Sequence, residues 1–366
     1  MPLPACFRCP ANISIDHCQA GVALITVLLI VFLASMAAIS LATVQQIAIR
    51  RSTVLQHQQQ ARLYTLGVEQ WAGLILMHDR QDNATDHPGE IWANLPPMLP
   101  VENGGLSGKI RDLQGCFNLN NLWRPAPGEA QDNPRQDADK ADKDTENPAE
   151  PSPSPKPPNP TDPAPAVSSK AGINQEQLKV LQRLLIGLEL QPELAQAVAD
   201  WIDPDPDPQF PDGAEDSDYT VLNPPYLAAN QPFASLSELR LVKGVDREVY
   251  DKLALLVCAL PPGTPLNVNT APARVLAALD EQVELADLER LLEDRPAKGY
   301  ENVDEFLNAA KMTPDAPTKA LLSVDSQYFL LQAEARVGDG RAMLYSMIFR
   351  DENGVRVLRR SFGNQD

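Results

Sequence analysis

The chain has 366 residues, 34 of them proline, and a formal net charge of −18. This acidity argues against nucleic acid as a partner, because phosphate binding needs clustered lysines and arginines. It suits a periplasmic body or a protein that binds divalent cations. The length allows two or three domains, and so many prolines predict a disordered tract.

An apolar stretch near the N-terminus organises the chain. No charged residue occurs from Val22 to Ala42, and about 20 apolar residues in a helix span the ~30 Å hydrocarbon core of a membrane. A secretory signal peptide is the alternative, but its apolar region is usually shorter. Because no Gly or Pro occurs up to Leu66, the pattern predicts one helix from Val22 to about Met77. Residues 22–44 would lie in the membrane, and the remainder would form an amphipathic spine.

A glycine directly before this helix carries a family resemblance. Residues Gly21 to Thr26 read Gly-Val-Ala-Leu-Ile-Thr and resemble the processing signature of type IV pilins and pseudopilins. In those proteins prepilin peptidase cuts after the glycine, and the new N-terminus, here Val22, is methylated. Most members have Glu as the fifth mature residue, where this chain has Thr26. With Ile49-Arg50-Arg51 and Gln60-Ala61-Arg62-Leu63-Tyr64, the segment resembles the K-type minor pseudopilins of type II secretion.

The resemblance implies an α+β fold, in which a pilin-like long N-terminal helix packs on an antiparallel sheet. A large all-α domain of SAM or helix-hairpin-helix type would be inserted. It also implies a single-pass protein of the cell inner membrane, with a cytoplasmic N-terminus and a periplasmic body. Arg50 and Arg51 would then lie outside, against the positive-inside tendency, so this topology rests on the resemblance.

The implied function is assembly rather than catalysis. A K-type subunit would sit at the tip of the periplasmic pseudopilus and initiate its assembly, which the export of folded proteins across the outer membrane requires. Thr26 cannot form the ion pair that Glu makes with the neighbouring subunit above, and a bulky inserted domain would block stacking. The implied partners are prepilin peptidase, the I- and J-type minor pseudopilins and the inner-membrane secretion platform.

Two other functions stay open from the residues alone. One is a minor type IV pilin in adhesion or DNA uptake, and the other is a membrane-anchored periplasmic hydrolase. The four histidines form no cluster, and no Ser-His-Asp set, Walker loop or GxGxxG motif is visible in the sequence.

The remaining chain divides by composition. Residues 1–21 form the leader, 22–78 the helix and 79–123 the first part of the pilin-like region, with strand character from Leu106 to Leu122. In Phe117 to Leu122 the apolar residues should face one way and the Asn residues the other. Residues 124–172, rich in Pro and Asp, predict a disordered insertion, although a Pro-rich docking ligand is an alternative. Residues 173–325 predict the α-domain, and 326–366 predict strands, with a hairpin at Asn353-Gly354.

The cysteines divide between the leader and the body. Cys6, Cys9 and Cys18 lie in the leader, and no second Cys or His pair completes a zinc site with Cys6-x-x-Cys9. Cys116 and Cys258 remain after processing. Two cysteines in an oxidising compartment predict a disulfide, and two buried free thiols are the alternative.

The strongest chemical pattern is a pair of acidic loops. Asp203, Asp205 and Asp207 alternate with prolines, and a second cluster follows Gly213. Calcium takes six to eight oxygen ligands, and closely spaced carboxylates repel one another without a cation. The K-type family carries Trp-Ile-Asp-x-Asp followed by Gly-Ala-Glu-Asp and binds calcium there. The resemblance therefore implies a structural Ca²⁺ held by Asp203, Asp205, Glu215 and Asp216, with Asp218 as a further candidate. A solvated acidic loop is the alternative.

Two stretches look like an internal repeat. The segment that begins at Phe233 is echoed at Tyr300, and each is preceded at a distance by an Asn-rich phrase, Phe117-Asn-Leu-Asn or Leu266-Asn-Val-Asn. These units resemble the helix-hairpin-helix-like units of DNA-uptake receptors. The flanks are acidic and the hairpin offers one lysine, so a helical bundle without nucleic acid binding is the favoured interpretation.

Overall fold

The computed structural model describes residues 19–124 and 172–363. Most of the leader, with Cys6, Cys9 and Cys18, and nearly all of the predicted disordered insertion lie outside the described residues. Gly21 and Val22 lie within a helix whose side chains are described from Ala23 onward.

The first element is the helix α1, Gln19–Asp82, with 64 residues. Its apolar N-terminal part is exposed, and it is the helix in the described residues that is long and apolar enough to cross a membrane. Beyond this part, buried residues recur every three or four positions, at Ala61, Thr65, Val68, Ala72 and Leu76. One face of the helix therefore packs on the body, as the predicted spine requires.

Two strands follow, β1 (Leu99–Val101) and β2 (Gly104–Asp112). The chain then leaves this sheet. Of the strand character predicted for residues 106–122, only Phe117–Asn118 recurs beyond Asp112, as a short strand that pairs with Val257–Cys258. Residues 119–122 form a 3₁₀ helix, and both the apolar and the Asn side chains of this segment are buried. The Asn side chains are buried because they bond to backbone groups of the inserted domain.

The inserted domain contains short strands and eight helices in the described residues. The strands are β3 (Phe117–Asn118), β4 (Trp123–Arg124), β5 (Gly172–Ile173), β6 (Val257–Cys258), β7 (Leu266–Asn267) and β8 (Leu322–Ser323). The helices are α2 (Gln175–Gly187), α3 (Leu194–Ile202), α4 (Asp216–Tyr219), α5 (Arg247–Leu253), α6 (Ala273–Ala277), α7 (Leu285–Glu293), α8 (Val303–Ala310) and α9 (Ala316–Lys319). A second 3₁₀ helix spans Leu236–Leu241.

The chain returns to the sheet with three long strands, β9 (Tyr328–Val337), β10 (Gly340–Asp351) and β11 (Gly354–Phe362). The sheet has the order β1-β2-β9-β10-β11, and every neighbouring pair is antiparallel. Apolar residues of β9 and β10, including Phe329 and Ile348, pack with Val68 and Leu76 of α1. The α+β fold with a long helix on an antiparallel sheet is therefore confirmed.

The inserted domain consists of two repeat units. The first repeat unit runs from β3 to β6 and the second repeat unit from β7 to β8. In each unit the first strand pairs in parallel with the last, β3 with β6 and β7 with β8. Each unit has four α-helices between its first and last strands, α2 to α5 in the first and α6 to α9 in the second, so the predicted repeat has a structural basis. The first repeat unit also contains the two 3₁₀ helices.

Buried asparagines hold the two units in the same way. Asn118 Oδ1 accepts the backbone N–H two residues on, and so does Asn267 Oδ1. Asn120 accepts from the N–H of Phe233 at 2.7 Å and donates to its carbonyl at 3.1 Å. Asn269 does the same with Tyr300, at 2.8 and 3.0 Å. Asn120 and Asn269 therefore fasten the residues just after the first strand to the segment before a later helix, which is the 3₁₀ helix Leu236–Leu241 in the first unit and α8 in the second.

A buried polar junction joins the inserted domain to the sheet at the far end of α1. Asp112 Oδ2 accepts from Ser326 Oγ at 2.6 Å and from Asn267 Nδ2 at 3.2 Å. Ser326 also donates its N–H to Asp86, whose carboxylate pairs with Arg350 at 2.6 Å. Because these groups belong to the loop after α1, to β2, to β10 and to the inserted domain, they fix where that domain sits.

Candidate functional site

The predicted acidic site begins at the end of α3. Val198, Trp201 and Ile202 of this helix are buried in the core of the inserted domain. Their packing turns Asp200 and Asp203 inward, and both residues are 0% exposed. A carboxylate without solvent must find hydrogen-bond donors or a cation, because burial without either is costly.

Asp200 finds donors within the loop. Its carboxylate accepts the backbone N–H of Gln209 at 3.1 Å and that of Ala214 at 2.7 Å. A methyl group on Gly213 would lie 2.1 Å from Asp200 Oδ2, so only glycine allows this approach. Asp200 therefore fastens the two acidic loops to each other. The sequence prediction missed Asp200, although its spacing of three residues from Asp203 was a visible signal.

Asp203 and Glu215 find no such donors. The four carboxylate oxygens of these two residues are buried and have no hydrogen-bond partner among the described residues. Burial, with the neighbouring charges of Asp205, Asp200 and Glu215, raises the pKa of Asp203 to about 8. Burial and the nearby carboxylates of Asp200, Asp216 and Asp205 raise the pKa of Glu215 to about 7. These are the oxygens that a hard divalent cation would stabilise.

The other predicted ligands are placed differently. Asp205 is exposed and accepts from the N–H of Asp207 at 3.0 Å. Asp216 Oδ1 accepts from the N–H of Ala228 at 2.9 Å. Asp218 pairs with Lys243 Nζ at 2.7 Å, so the ammonium group of this lysine already balances its charge. The loops bring Asp203, Glu215 and Asp200 together. Asp205 and Asp216 lie near enough for their negative charges to raise the pKa of Glu215.

The Lys243 ion pair also explains the hairpin Leu241-Val242-Lys243-Gly244-Val245, which supplies the one lysine of the helix-hairpin-helix-like unit. Gly244 has a φ of +82°, and a Cβ there would lie 2.5 Å from a methyl carbon of Leu194. The glycine is therefore required by a left-handed turn that packs closely on α3. The hairpin lysine contacts Asp218 within the same domain, which accounts for its position without a nucleic acid.

A second acidic cluster lies at the junction and has protein partners. Within the described residues, Asp79, Asp86 and Glu90 have ligand atoms within 4.8 Å of one another. The carboxylates of the acidic loops do not form such a group there. Arg350 pairs with Asp79 at 2.8 Å and with Asp86 at 2.6 Å, while Glu90 accepts from the indole N–H of Trp92. A guanidinium thus supplies the positive charge for this cluster.

The two body cysteines are neighbours. Cys116 and Cys258 are buried in one small cluster with Leu113 and Leu260, and the Cys258 thiol lies 3.4 Å from the carbonyl oxygen of Cys116. Both are free cysteines in this structure, so the predicted disulfide is not formed in it. The pairing stays a prediction for protein exposed to an oxidising compartment.

The predicted processing site lies at the start of α1. Gly21 and Val22 are within the helix, and Thr26 is exposed on it. The Thr26 hydroxyl donates to the carbonyl of Ala23 at 2.9 Å. This position therefore presents no carboxylate that could pair with the N-terminus of a neighbouring subunit.

Comparison with known proteins agrees with the two-unit architecture. Two family models described as type II secretion system (T2SS), protein K, match residues 115–262 and 266–325. These ranges correspond closely to the first and second repeat units. A chain of similar fold belongs to the GspK-GspI-GspJ complex from the enterotoxigenic Escherichia coli type 2 secretion system. That chain is 30% identical with a TM-score of 0.65, and the match covers 86% of this chain and 99% of that one.

Curated relatives match over nearly the full length. Type II secretion system protein K of Pseudomonas aeruginosa is 33% identical over 359 residues, covering 94% of this chain and 93% of the relative. The corresponding protein of Aeromonas hydrophila is 33% identical over 357 residues, covering 95% and 98%. The residue matches include the membrane helix, the sheet and both repeat units, and they show that the chain belongs to the type II secretion system protein K family of minor pseudopilins.

Proposed function

We propose that this minor pseudopilin caps the tip of the periplasmic pseudopilus and initiates its assembly, so that folded proteins can be exported across the outer membrane. Its role is structural rather than enzymatic. One observation carries the proposal: the inserted domain is attached at the membrane-distal end of α1. Arg80 near the end of that helix pairs with Asp325 at 3.2 Å, and Leu76 lies ~50 Å along the helix beyond Ala42. A domain in this position blocks the addition of a subunit above it.

The proposed topology is a single pass through the inner membrane, with the N-terminus in the cytoplasm and the body in the periplasm. Prepilin peptidase would cut between Gly21 and Val22 and leave a methylated Val22. Thr26 supports the tip position, because a terminal subunit has no neighbour above it whose N-terminus would need a carboxylate.

The proposed partners are the I- and J-type minor pseudopilins, with the inner-membrane platform driving assembly. The related chain from E. coli was crystallised in a complex with GspI and GspJ. The matched fold supports an equivalent complex for this chain. Family membership in type II secretion does not favour a type IV pilin or a membrane-anchored hydrolase.

The acidic loops would hold a structural Ca²⁺. The buried carboxylate oxygens of Asp203 and Glu215, which have no hydrogen-bond partner among the described residues, fit such an ion. We propose these two residues as ligands, with Asp205 and Asp216 as the outer carboxylates. Asp218 is a weaker candidate because it already pairs with Lys243. A bound divalent cation would neutralise the repulsion between the loops and hold the membrane-distal surface in one conformation.

Immunogold labelling of assembled pseudopili tests the tip position. Antibody against the inserted domain should label one end of each pseudopilus, and deletion of the gene should reduce both the number of pseudopili and the amount of exported protein. Label distributed along the filament would contradict the proposal. Mass spectrometry of the membrane protein should find a methylated Val22 at the N-terminus, and an intact Met1 in cells with active peptidase would contradict the processing step.

A further inference from the structure

The N-terminal two thirds of α1 carry only positive charge. From Val22 to Val68 the helix contains three arginines and no acidic residue, within a chain of net charge −18. Arg62 lies 4.0 Å from the centre of the Phe362 ring, so it packs on the body. Arg50 and Arg51 are exposed, and no ion pair involves them in the described ranges 19–124 and 172–363. Arg50 and Arg51 therefore carry positive charges that no acidic side chain of the described residues balances in an ion pair.

Helix geometry places these two arginines at a definite depth. Val22 to Ile49 is an uncharged run of 28 residues, which at ~1.5 Å per residue is about 42 Å long. A bilayer with its headgroup regions is about 40–45 Å thick. When Val22 lies at one surface of the membrane, Arg50 and Arg51 lie at the level of the opposite headgroups.

The direction of Arg50 also follows from the helix. Arg50 precedes Ala61 by 11 positions, which places it about 20° from Ala61 around the axis and about 16 Å closer to the membrane. Ala61 is fully buried against the sheet. Arg50 therefore points into the space between the underside of the body and the membrane.

Two turns on the underside of the body have an acidic residue at the tip. The β9–β10 turn contacts α1 where the N–H of Asp339 donates to His57 Nδ1 at 3.3 Å. The β1–β2 turn lies beside it, because Asn103 accepts from the N–H of Gly338 at 2.9 Å. Glu102 and Asp339 in these turns are exposed. Arg336 and Arg341, on the strands that flank the β9–β10 turn, both pair with Glu334. Arg50 and Arg51 have no such carboxylate partner among the described residues, so the helix provides the lipid contact.

We propose that Arg50 and Arg51 form a binding site for the headgroup phosphates of anionic phospholipids in the outer leaflet of the membrane that α1 spans. The forked guanidinium group donates to phosphate in a bidentate manner. The site would set the height of the helix and oppose its withdrawal from the bilayer until assembly. This inference rests on the proposed placement of the body outside the membrane, but it does not depend on the tip position.

Native mass spectrometry of the full-length protein in detergent tests the site. The probes are phosphatidylglycerol, phosphatidylethanolamine and phosphatidylcholine, added in equal amounts. We expect the wild type to retain phosphatidylglycerol preferentially. R50Q and R51Q should each lower this preference about fivefold, and the double variant about 25-fold, since a basic residue near an anionic surface contributes ~1 kcal/mol.

Two controls separate charge from other effects. R62Q removes an arginine of the same helix that lies over Phe362, and it should leave lipid retention unchanged. R50K/R51K keeps the charge and should restore most of the preference. Equal phosphatidylglycerol retention by the wild type and R50Q/R51Q would overturn the proposal. A wild type that retains no anionic lipid but crosslinks through this segment to acidic residues of a neighbouring subunit would also overturn it.

Discussion

The two repeat units of the inserted domain share one framework and differ in one connection. In the first repeat unit, residues 203–232 join α3 to Phe233, whereas in the second repeat unit residues 294–299 join α7 to Tyr300. The asparagine contacts to Phe233 and Tyr300 are the same in both units. The framework therefore forms without the long connection, and the acidic loops are an addition to it.

The two connections differ in charge: the long one is strongly acidic, and the short one contains an arginine that bonds within its own unit. The long connection contains no basic residue and seven carboxylates: Asp203, Asp205, Asp207, Asp212, Glu215, Asp216 and Asp218. The short connection carries Arg295, whose guanidinium donates to the backbone carbonyl of Asn269. The second repeat unit is thus closed by the guanidinium of Arg295, while the first repeat unit has buried carboxylates without partners among the described residues, for which we propose a cation from solution. Four predictions test this difference, from the largest expected effect to the smallest.

The shared framework is tested by Asn120→Ala and Asn269→Ala. Each substitution leaves a buried backbone N–H and carbonyl without a partner, so each should lower the free energy of unfolding by about 3 kcal/mol. Urea denaturation of the periplasmic body with calcium present measures this. Asn308→Ala, at an exposed helix position, is the matched control and should be neutral or slightly stabilising. If either framework variant behaved like the control, the two units would not be held in the same way.

The proposed cation is tested by Asp203→Asn and Glu215→Gln. The free energy of unfolding of the wild-type body should rise by about 2.7 kcal/mol when calcium exceeds its Kd a hundredfold. The two variants should lose most of this increase. In chelator at pH 7 the order should reverse, because the wild type must bind protons at Asp203 and Glu215, whose pKa values are raised to about 8 and about 7, or keep a buried unpaired charge. The two variants need neither. Thermal melting in calcium and in chelator measures both effects. Asp287→Asn, on the exposed side of α7, should melt like the wild type. Identical melting of the wild type in both conditions would contradict the site.

The loop contact made by Asp200 is tested by Gly213→Ala. The new methyl group would collide with Asp200 Oδ2, so we expect a loss of about 1–3 kcal/mol and a weaker response to calcium. Gly187→Ala is the control, since nothing lies within 4 Å of a Cβ at that position. A calcium response that is unchanged in Gly213→Ala would show that Asp200 does not organise the loops.

The two repeat units differ in their contact with the sheet, and this difference should appear in the pH dependence of stability. Asn267 of the second repeat unit reaches Asp112, whereas Asn118 of the first repeat unit bonds within the inserted domain. Burial raises the pKa of Asp112 to about 6 from an ordinary value of 3.8. The folded state therefore holds this proton more tightly, and its contribution to stability is present below about pH 4. That contribution is lost as the pH rises through 6.

Asp112→Asn should therefore reduce the fall in unfolding free energy between pH 4 and pH 6. Urea denaturation in chelator at pH 4, 5 and 6 measures the slope for both proteins. Asp86 shares the direction of the shift, since burial raises its pKa to about 6, so part of the slope should persist in the variant. An equal slope in the wild type and Asp112→Asn would contradict the assignment to the junction.

Local patterns predicted several parts of this molecule well. The spine was predictable because apolar residues recur with helical spacing and no Gly or Pro interrupts the chain from Val22 to Leu66. The helix runs continuously to Asp82. The C-terminal strands were visible because their side chains alternate between the core and solvent. Repeated Asn-rich phrases marked both units, since each Asn must bond to the same backbone groups in its own unit.

The segment after β2 does not continue the five-stranded sheet as its alternating pattern predicted, and the short strand β3 pairs in the inserted domain instead. Residues 117–122 alternate in sequence like a strand of the sheet, yet their partners lie in the inserted domain. Asn120, for example, bonds to Phe233, 113 positions away. No local periodicity distinguishes a strand that pairs in the sheet from a segment buried by distant contacts on both sides.

By itself, the sequence determined the membrane helix, the acidic loops and the family, because these depend on composition, spacing and short motifs along the chain. Only the tertiary structure decided that Asp203 and Glu215 are buried without partners while Lys243 balances Asp218. It also decided that Asp200 fastens the loops and that Arg350 balances Asp79 and Asp86. Burial and the choice between partners depend on which distant segments pack together, and that is set by the folded chain as a whole.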